Sequence, residues 1–323
     1  MVVILHALAC ETPPPVTPPP PPPDAGCVGG GDGYLDPPGS GAKFLIDQIQ
    51  LTGSGQGIDV TGDGVPDAAM NEAFFFLQYV LNEALRHTVE NNRVLYLFEL
   101  AGLCLPYDGD DPDVTVKVYE CRDANSDASD NFCLDPGCGI VQVHEQEFNA
   151  DSQTVNHSEP LPIVDQLVVA RLPGTVTINI DTAANFTLRR TAIQVTVPVA
   201  LDQISDGWLC GAVSASELDQ IAPPHQSDPE CRTLCWPDDA PAGLTLAGFM
   251  AMRGYQPDID IDGDGLERYE LDENKHVVRC YDGANHLQPP HRWPVRCLQD
   301  PRMADGFSLC FQIHAVRGVL LLE

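Results

Sequence analysis

The sequence predicts a β-rich α+β fold: an antiparallel, sandwich-like sheet or pair of sheets with a few helices, stapled by disulfides and preceded by a disordered, Pro-rich tether. Three observations predict it. Apolar residues alternate with polar ones through Val176, Ile178 and Ile180, through Ile193, Val195, Val197 and Val199, and again from Phe307 to Val316, the period of a half-buried strand. The connections are short and carry turn residues, Pro173-Gly174 and the stretch 181–185, and short connections join antiparallel neighbours. Of twelve cysteines, ten fall in clusters at 104, 121, 133 and 138, at 210, 231 and 235, and at 280, 297 and 310, and this number points to an oxidising compartment. The half-motifs Cys133-x4-Cys138 and Cys231-x3-Cys235 lack the second pair that a zinc site needs, so disulfides are the better reading.

Taken in order, residues 1–10 read as a lipoprotein signal segment. An apolar run from Val2 ends in Ala7-Leu8-Ala9-Cys10, which resembles a bacterial lipobox with Cys10 as the lipid-modified residue. Residues 11–42 hold Pro, Gly, Asp and Ser with few large apolar side chains, the composition of a tether that has no core to bury. Residues 43–323 form one composite β-rich domain, with a sub-boundary near 222–241. Phe44 to Leu51 is its first strand. Pro66 opens a helix in which Met70, Ala73, Phe74, Leu77, Leu81, Ala84, Leu85 and Val89 recur at helical spacing, ending near Asn91-Asn92. The run Phe74-Phe75-Phe76 reads as core. Strands follow at 93–100, 114–119 and 167–172, and Pro198 marks its run as an edge strand. Ser214-x-x-Glu217 is a capping box for a short helix through Ile221. A second short helix spans Thr245 to Arg253, and the final strand returns to the existing sheet.

The chain is long enough for one large domain, and 43% hydrophobic residues supply its core. With 17 basic against 47 acidic residues the net charge is −30, which excludes nucleic acid as a partner, because phosphate binding needs clustered Lys and Arg. No apolar stretch of about twenty residues crosses a membrane.

The chemistry concentrates in two Asp-rich turns. In Asp258-Ile-Asp-Ile-Asp-Gly-Asp-Gly-Leu-Glu-Arg-Tyr-Glu-Leu-Asp272, a frame opening at Asp260 puts Asp260, Asp262 and Asp264 at positions one, three and five. Gly265 is the sixth, where the backbone must reverse, and Leu266 offers its carbonyl. Position twelve is Leu271, flanked by Glu270 and Asp272, either of which stands in for the usual bidentate acid. The pattern recurs as Asp59, Thr61, Asp63, Gly64, the Val65 carbonyl and Asp67, with Met70 at position twelve. Alternating carboxylates around a Gly turn gather hard oxygen donors, the ligands of Ca2+. The turns resemble the calcium loops of EF-hand, dockerin, thrombospondin type 3 and integrin-propeller repeats. A third stretch, Asp123 to Asp130, has Ala128 where Gly is needed and reads as a plain acidic loop.

The order of features, from the lipobox and Pro-rich stalk through the first acidic turn, Leu209-Cys-Gly-Ala-Val-Ser-Ala-Ser-Glu-Leu218, the second acidic turn and Ala304-Asp-Gly-Phe-Ser308, resembles surface lipoproteins of myxobacteria and related Gram-negative bacteria. The resemblance implies an extracytoplasmic protein anchored in the outer membrane by lipid. No nucleophile elbow, zinc helix, phosphate loop or dinucleotide fingerprint is present; His144-Glu145-Gln-Glu147 has the wrong spacing, and His286 and His291 sit in a Pro-rich loop. The expectation is therefore a calcium-binding surface interaction protein that meets a glycan or protein ligand and carries no catalytic activity. The second reading is a secreted hydrolase of polysaccharide or peptide with calcium as a structural ion.

Overall fold

A computed structural model describes residues 41–123 apart from 54, 63 and 92–94, and residues 140–143, 156–180, 184–229, 231, 235–255, 257–261, 269–271, 277–280 and 305–321. In chain order the elements are β1 (Ala42–Leu51), α1 (Ala69–Ala73), a 3-10 turn (Phe75–Leu77), α2 (Gln78–Glu90), β2 (Tyr96–Ala101), β3 (Asp111–Asp123), β4 (Ile140–Val143), β5 (Leu161–Ile163), β6 (Leu167–Arg171), β7 (Val176–Ile180), β8 (Ala184–Thr196), β9 (Gln203–Ser214), α3 (Ala215–Leu218), α4 (Leu246–Met252), β10 (Tyr269–Leu271), β11 (Val277–Cys280), β12 (Gly306–Arg317) and β13 (Val319–Leu321). The fold is β-rich and almost wholly antiparallel, as the alternation predicts.

The main sheet runs β13-β4-β3-β2-β1-β12-β9-β8-β6, with β5 on the second edge of β3 and β7 beside β6 on β8. It is nearly a closed barrel. Closure comes from the β5–β6 hairpin, whose two-residue turn has Asp165 and Gln166 both at positive φ (51° and 66°). That geometry matches the right-handed twist of the strands it joins, and Val164 and Leu167 exchange hydrogen bonds of 3.1 and 2.9 Å across it.

Bulges aim the side chains. In β1 the register slips between Ile46 and Gln48 against β12, so Phe44 and Ile46 before the slip and Ile49 and Leu51 after it all face the core. β8 slips between Arg189 and Ala192, with the same effect on Phe186 and Leu188 before it and Ile193 and Val195 after it. The core they share takes in Phe98 and Leu100 of β2, Val116 and Val118 of β3, and Phe307, Leu309, Phe311 and Ile313 of β12, with helical contributions from Leu81, Leu85, Leu246 and Met250.

Three expectations change. The helix expected to run unbroken from Pro66 is instead α1 and α2 joined by a 3-10 turn. Phe74 is buried against Phe249, with ring centroids 6.0 Å apart, whereas Phe75 is 63% exposed; consecutive residues cannot share one helical stripe, and the tighter turn lets Phe74 point inward while α2 starts a new face. Pro198 lies beyond the end of β8, which is flanked on both sides, by β9 and by β6 and β7, and so is not an edge strand. β9 has no counterpart among the expected strands. The adjacent exposed residues Ser205 and Asp206 and the glycines at 207 and 211 hide the alternation.

The short helices follow their signals. Ser214 Oγ accepts from Glu217 N at 3.2 Å, and Thr245 Oγ1 caps α4 by accepting from Gly248 N at 3.0 Å, each satisfying an amide that the helix cannot. The Glu217 carboxylate does not close the box; it accepts from Thr187 N at 2.5 Å and pairs with Arg189 at 2.8 Å. Cys210–Cys310 and Cys231–Cys235 are disulfides, and Cys104 is disulfide-bonded as well. The segments around Cys10, the tether, the third acidic stretch beyond Asp123, and His144, His286 and His291 lie outside the described residues.

Candidate functional site

The two acidic turns, far apart in the chain, meet on one strand. β1 pairs with β12 only from Phe311 to Arg317, leaving the edge from Gly306 to Cys310 without a strand partner on that side among the described residues. Unpaired strand edges need cover, and the second turn and α1, the helix that follows the first turn, supply it. Ile259 exchanges hydrogen bonds with Gly306, at 3.1 and 3.0 Å. Asp258 accepts from Ser308 N with Oδ1 at 2.7 Å and from the Ser308 hydroxyl with Oδ2. One residue pair further on, the Asn71 side chain stands in for a strand, accepting from Cys310 N at 2.9 Å and donating to Cys310 O at 2.7 Å. Asn71 is fully buried.

The first turn folds around its own carboxylates. Asp59 Oδ1 accepts from Gly62 N and, at 3.3 Å, from the Thr61 hydroxyl, while Oδ2 accepts from Gly64 N at 2.6 Å. Gly64 has φ of +88°, a conformation that costs glycine little and other residues more; this is the reversal expected at the sixth position. Asp67 Oδ2 accepts from Val60 N at 2.6 Å and Thr61 N at 2.9 Å, and Asp67 N closes the turn on Ile58 O at 3.1 Å. Asp67 is only 9% exposed, whereas Val65 is 61% exposed.

Beneath both turns lies the Cys210–Cys310 disulfide, joining directly opposed residues of β9 and β12 with Cα atoms 4.1 Å apart. Ile58 N donates to Cys210 Sγ at 3.3 Å, and Cys310 Sγ lies 3.0 Å from the Asp67 carbonyl oxygen. Gly57 passes so close that a Cβ there would sit 2.5 Å from Cys310 Sγ. Ile58 and Val60 of the first turn and Ile259 of the second share one apolar cluster with Ala192, Cys210, Ala212 and Cys310, and Ile261 packs at its margin. Arg190 reaches the Ile261 carbonyl across 3.5 Å.

The electrostatics follow from this closeness. Burial pushes the Asp258 carboxyl up to about 6, against the Ser308 hydrogen bonds that favour its charge, and the negative charge of Asp67 pushes it further. The carboxylate of one turn thus disfavours ionisation of the Asp258 carboxyl in the other.

Of the residues singled out in the sequence, Asp59, Thr61, Val65 and Asp67 are brought into one turn, and Asp260 lies directly after the Ile259–Gly306 pair. Asp63, Asp262, Asp264, Leu266, Asp272 and Cys10 fall outside the described residues, and Glu270 lies in the β10–β11 hairpin. The donors that are described in the first turn, two carboxylates, a hydroxyl and a main-chain carbonyl, are all oxygen, as a hard cation requires. Among the described residues no three His, Cys, Asp or Glu side chains form a group able to hold a metal ion.

Sequence reasoning missed a second polar assembly. On the face of β1–β3 turned from the main core, Lys43 opposes Glu99, Glu99 opposes Lys117, and Lys117 bridges to His157. Glu99 and Lys117 are 0% and 2% exposed. Glu99 accepts from Gly41 N and from the Tyr119 hydroxyl, both at 2.6 Å. The signal was the alternation Val114-Thr-Val-Lys-Val-Tyr119, whose polar partners are as buried as its valines.

No protein-family model matches the chain, and no curated protein or solved structure matches it.

Proposed function

We propose that this chain is an extracytoplasmic, calcium-binding surface interaction protein without catalytic activity, tethered to the outer membrane through lipid on Cys10. The observation that supports it best is the first turn, where Asp59 and Asp67 draw five donors of the loop around themselves about a Gly reversal. Asp59, Thr61, Asp63, Asp67 and the Val65 carbonyl would hold one ion. Asp260, Asp262, Asp264, the Leu266 carbonyl and either Glu270 or Asp272 would hold the other. Ca2+ supplies charge there: it offsets the mutual repulsion of carboxylates gathered in one place. With a net charge of −30, the partner is a surface glycan or protein and not nucleic acid. Among the described residues no helix is long and apolar enough to cross a membrane, and in this reading the anchor is lipid.

Thermal unfolding with calcium and with chelator tests the reading. An ion bound only by the folded state stabilises by RT ln(1 + [L]/Kd), about 2.7 kcal/mol for a site of about 0.1 mM affinity in about 10 mM calcium. That raises the melting temperature by several degrees. Asp262→Ala with Asp264→Ala should remove most of the gain, and Asp123→Ala with Asp127→Ala should leave it. Equal melting temperatures in calcium and in chelator, with no heat of binding in calorimetry, would refute the proposal.

A further inference from the structure

We infer that the two acidic turns form one mechanically coupled unit, in which the Gly306–Cys310 edge of β12 passes a change in either turn to the other. The link is a chain of direct contacts. The Ser308 hydroxyl donates to Asp258 of the second turn and accepts from Ala69 N at 2.7 Å, the first amide of α1, two residues after Asp67. The next outward-facing residue of β12, Cys310, is held by Asn71 through its backbone and touches the Asp67 carbonyl through its sulfur. The disulfide partner Cys210 accepts from Ile58 at the start of the first turn, and Ile58, Val60 and Ile259 close over the same sulfurs.

There is no slack to absorb a displacement. Ser308 and Cys310 are fully buried, and a Cβ on Gly306 would lie 2.5 Å from the Ile261 side chain. When the second turn lifts, Ser308 loses the acceptor that orients its hydroxyl toward Ala69. When the first lifts, the sulfurs and Ile259 lose their cover. Groups that share partners in this way respond non-additively, so whatever orders one turn pre-orders the other. The coupling is a property of the chain itself and does not rest on the calcium reading.

Hydrogen exchange of the protein in chelator tests it. Ser308→Ala removes one hydroxyl that touches neither Val60 N nor Thr61 N, both of which are held by Asp67. Coupling predicts that these two amides exchange about tenfold faster in the variant, together with Ile259 N, beyond any change at Phe98 and Val118 in β2 and β3, which report global opening. Acceleration confined to Ala69 and 257–261 would overturn the inference. Asp258→Asn, an equal-sized change at a half-buried side chain, repeats the test should Ser308→Ala fail to fold. It should speed Val60 and Thr61 likewise, and unchanged exchange there would again overturn the inference. Asp67→Asn runs the relay backwards and should speed Ile259 and Gly306. Rates in the Asp67→Asn/Ser308→Ala double variant equal to the product of the single effects would show two independent turns.

Discussion

The sheet has two regions whose sides turned from the main core are both buried, by opposite means. Over β1–β3 that side carries long ionisable residues, Lys43, Glu99, Lys117 and His157, in one cross-strand row, with Tyr119 donating to Glu99. Over β9 and β12 it carries Gly306, Ser308, Cys310, Cys210 and Ala212, and the backbone of the two acidic turns lies directly on it. Large polar side chains fill the space there, and the Tyr119 hydroxyl finds its acceptor in Glu99. Small ones leave room for a second layer of main chain, whose amides and carbonyls must then find partners on the strand edge. The first region is held by side-chain networks, and the second by a disulfide, an asparagine and an aspartate that imitate a missing strand.

The comparison is tested most severely at the polar row. Glu99→Ala leaves Gly41 N and the Tyr119 hydroxyl without their acceptor and Lys117 opposite an alanine, in a place where charges are costly to leave uncompensated. Urea unfolding should show a loss of about 3–4 kcal/mol. On the loop side, Asn71→Ala strips the Cys310 amide and carbonyl of their partners and should cost about 2–3 kcal/mol, the penalty for buried backbone groups left unmade. It should also loosen 58–67, leaving β2 and β3 as protected as before. If Asn71→Ala proves the more damaging, the loop side is the tighter assembly and the contrast is reversed.

Much of this was legible in the sequence, and the gaps have physical causes. The alternation of β12 showed a strand, since Phe307, Leu309 and Phe311 face the core. What alternation alone does not say is that Gly306, Ser308 and Cys310 are small because another segment lies on them. The Asp-rich pattern of both turns is visible because it is local; their meeting is not, because it depends on the edge of β12 left bare where β1 ends. The capping box at Ser214 predicted the helix, yet not that Glu217 would be drawn to Thr187 and Arg189, which a tertiary contact decides. In β3 the residues Thr115, Lys117 and Tyr119 alternate with valines, a pattern that in an antiparallel sheet commonly turns one face to solvent. They are buried because polar side chains from β2 and from the segment beside β3, Glu99 and His157, lie in the same row.

The smallest effect separates the two regions by the sign of their pH response. Burial lowers the His157 pKa, the charge of Lys117 lowers it further, and Glu159 only partly opposes them. The folded state thus favours neutral His157, while the unfolded chain takes up a proton near 6.5. A histidine depressed in this way contributes stability that is fully present above about 6.5 and is lost as the pH falls from there toward the folded value. On the loop side Asp258 is shifted upward to about 6 from 3.8. Its contribution is present below the unfolded value and lost as the pH rises through about 6, so acidification strains the polar row while it relieves the acidic turns. Urea midpoints of the wild type and His157→Gln at pH 8 and pH 5, in chelator, isolate the first term, because the Asp258 contribution is common to both proteins and cancels in the difference. The wild type should lose more stability than the variant between the two pH values. An equal loss in both would mean that His157 titrates alike in the folded and unfolded chains, and that the row over β1–β3 is wetter than its geometry implies.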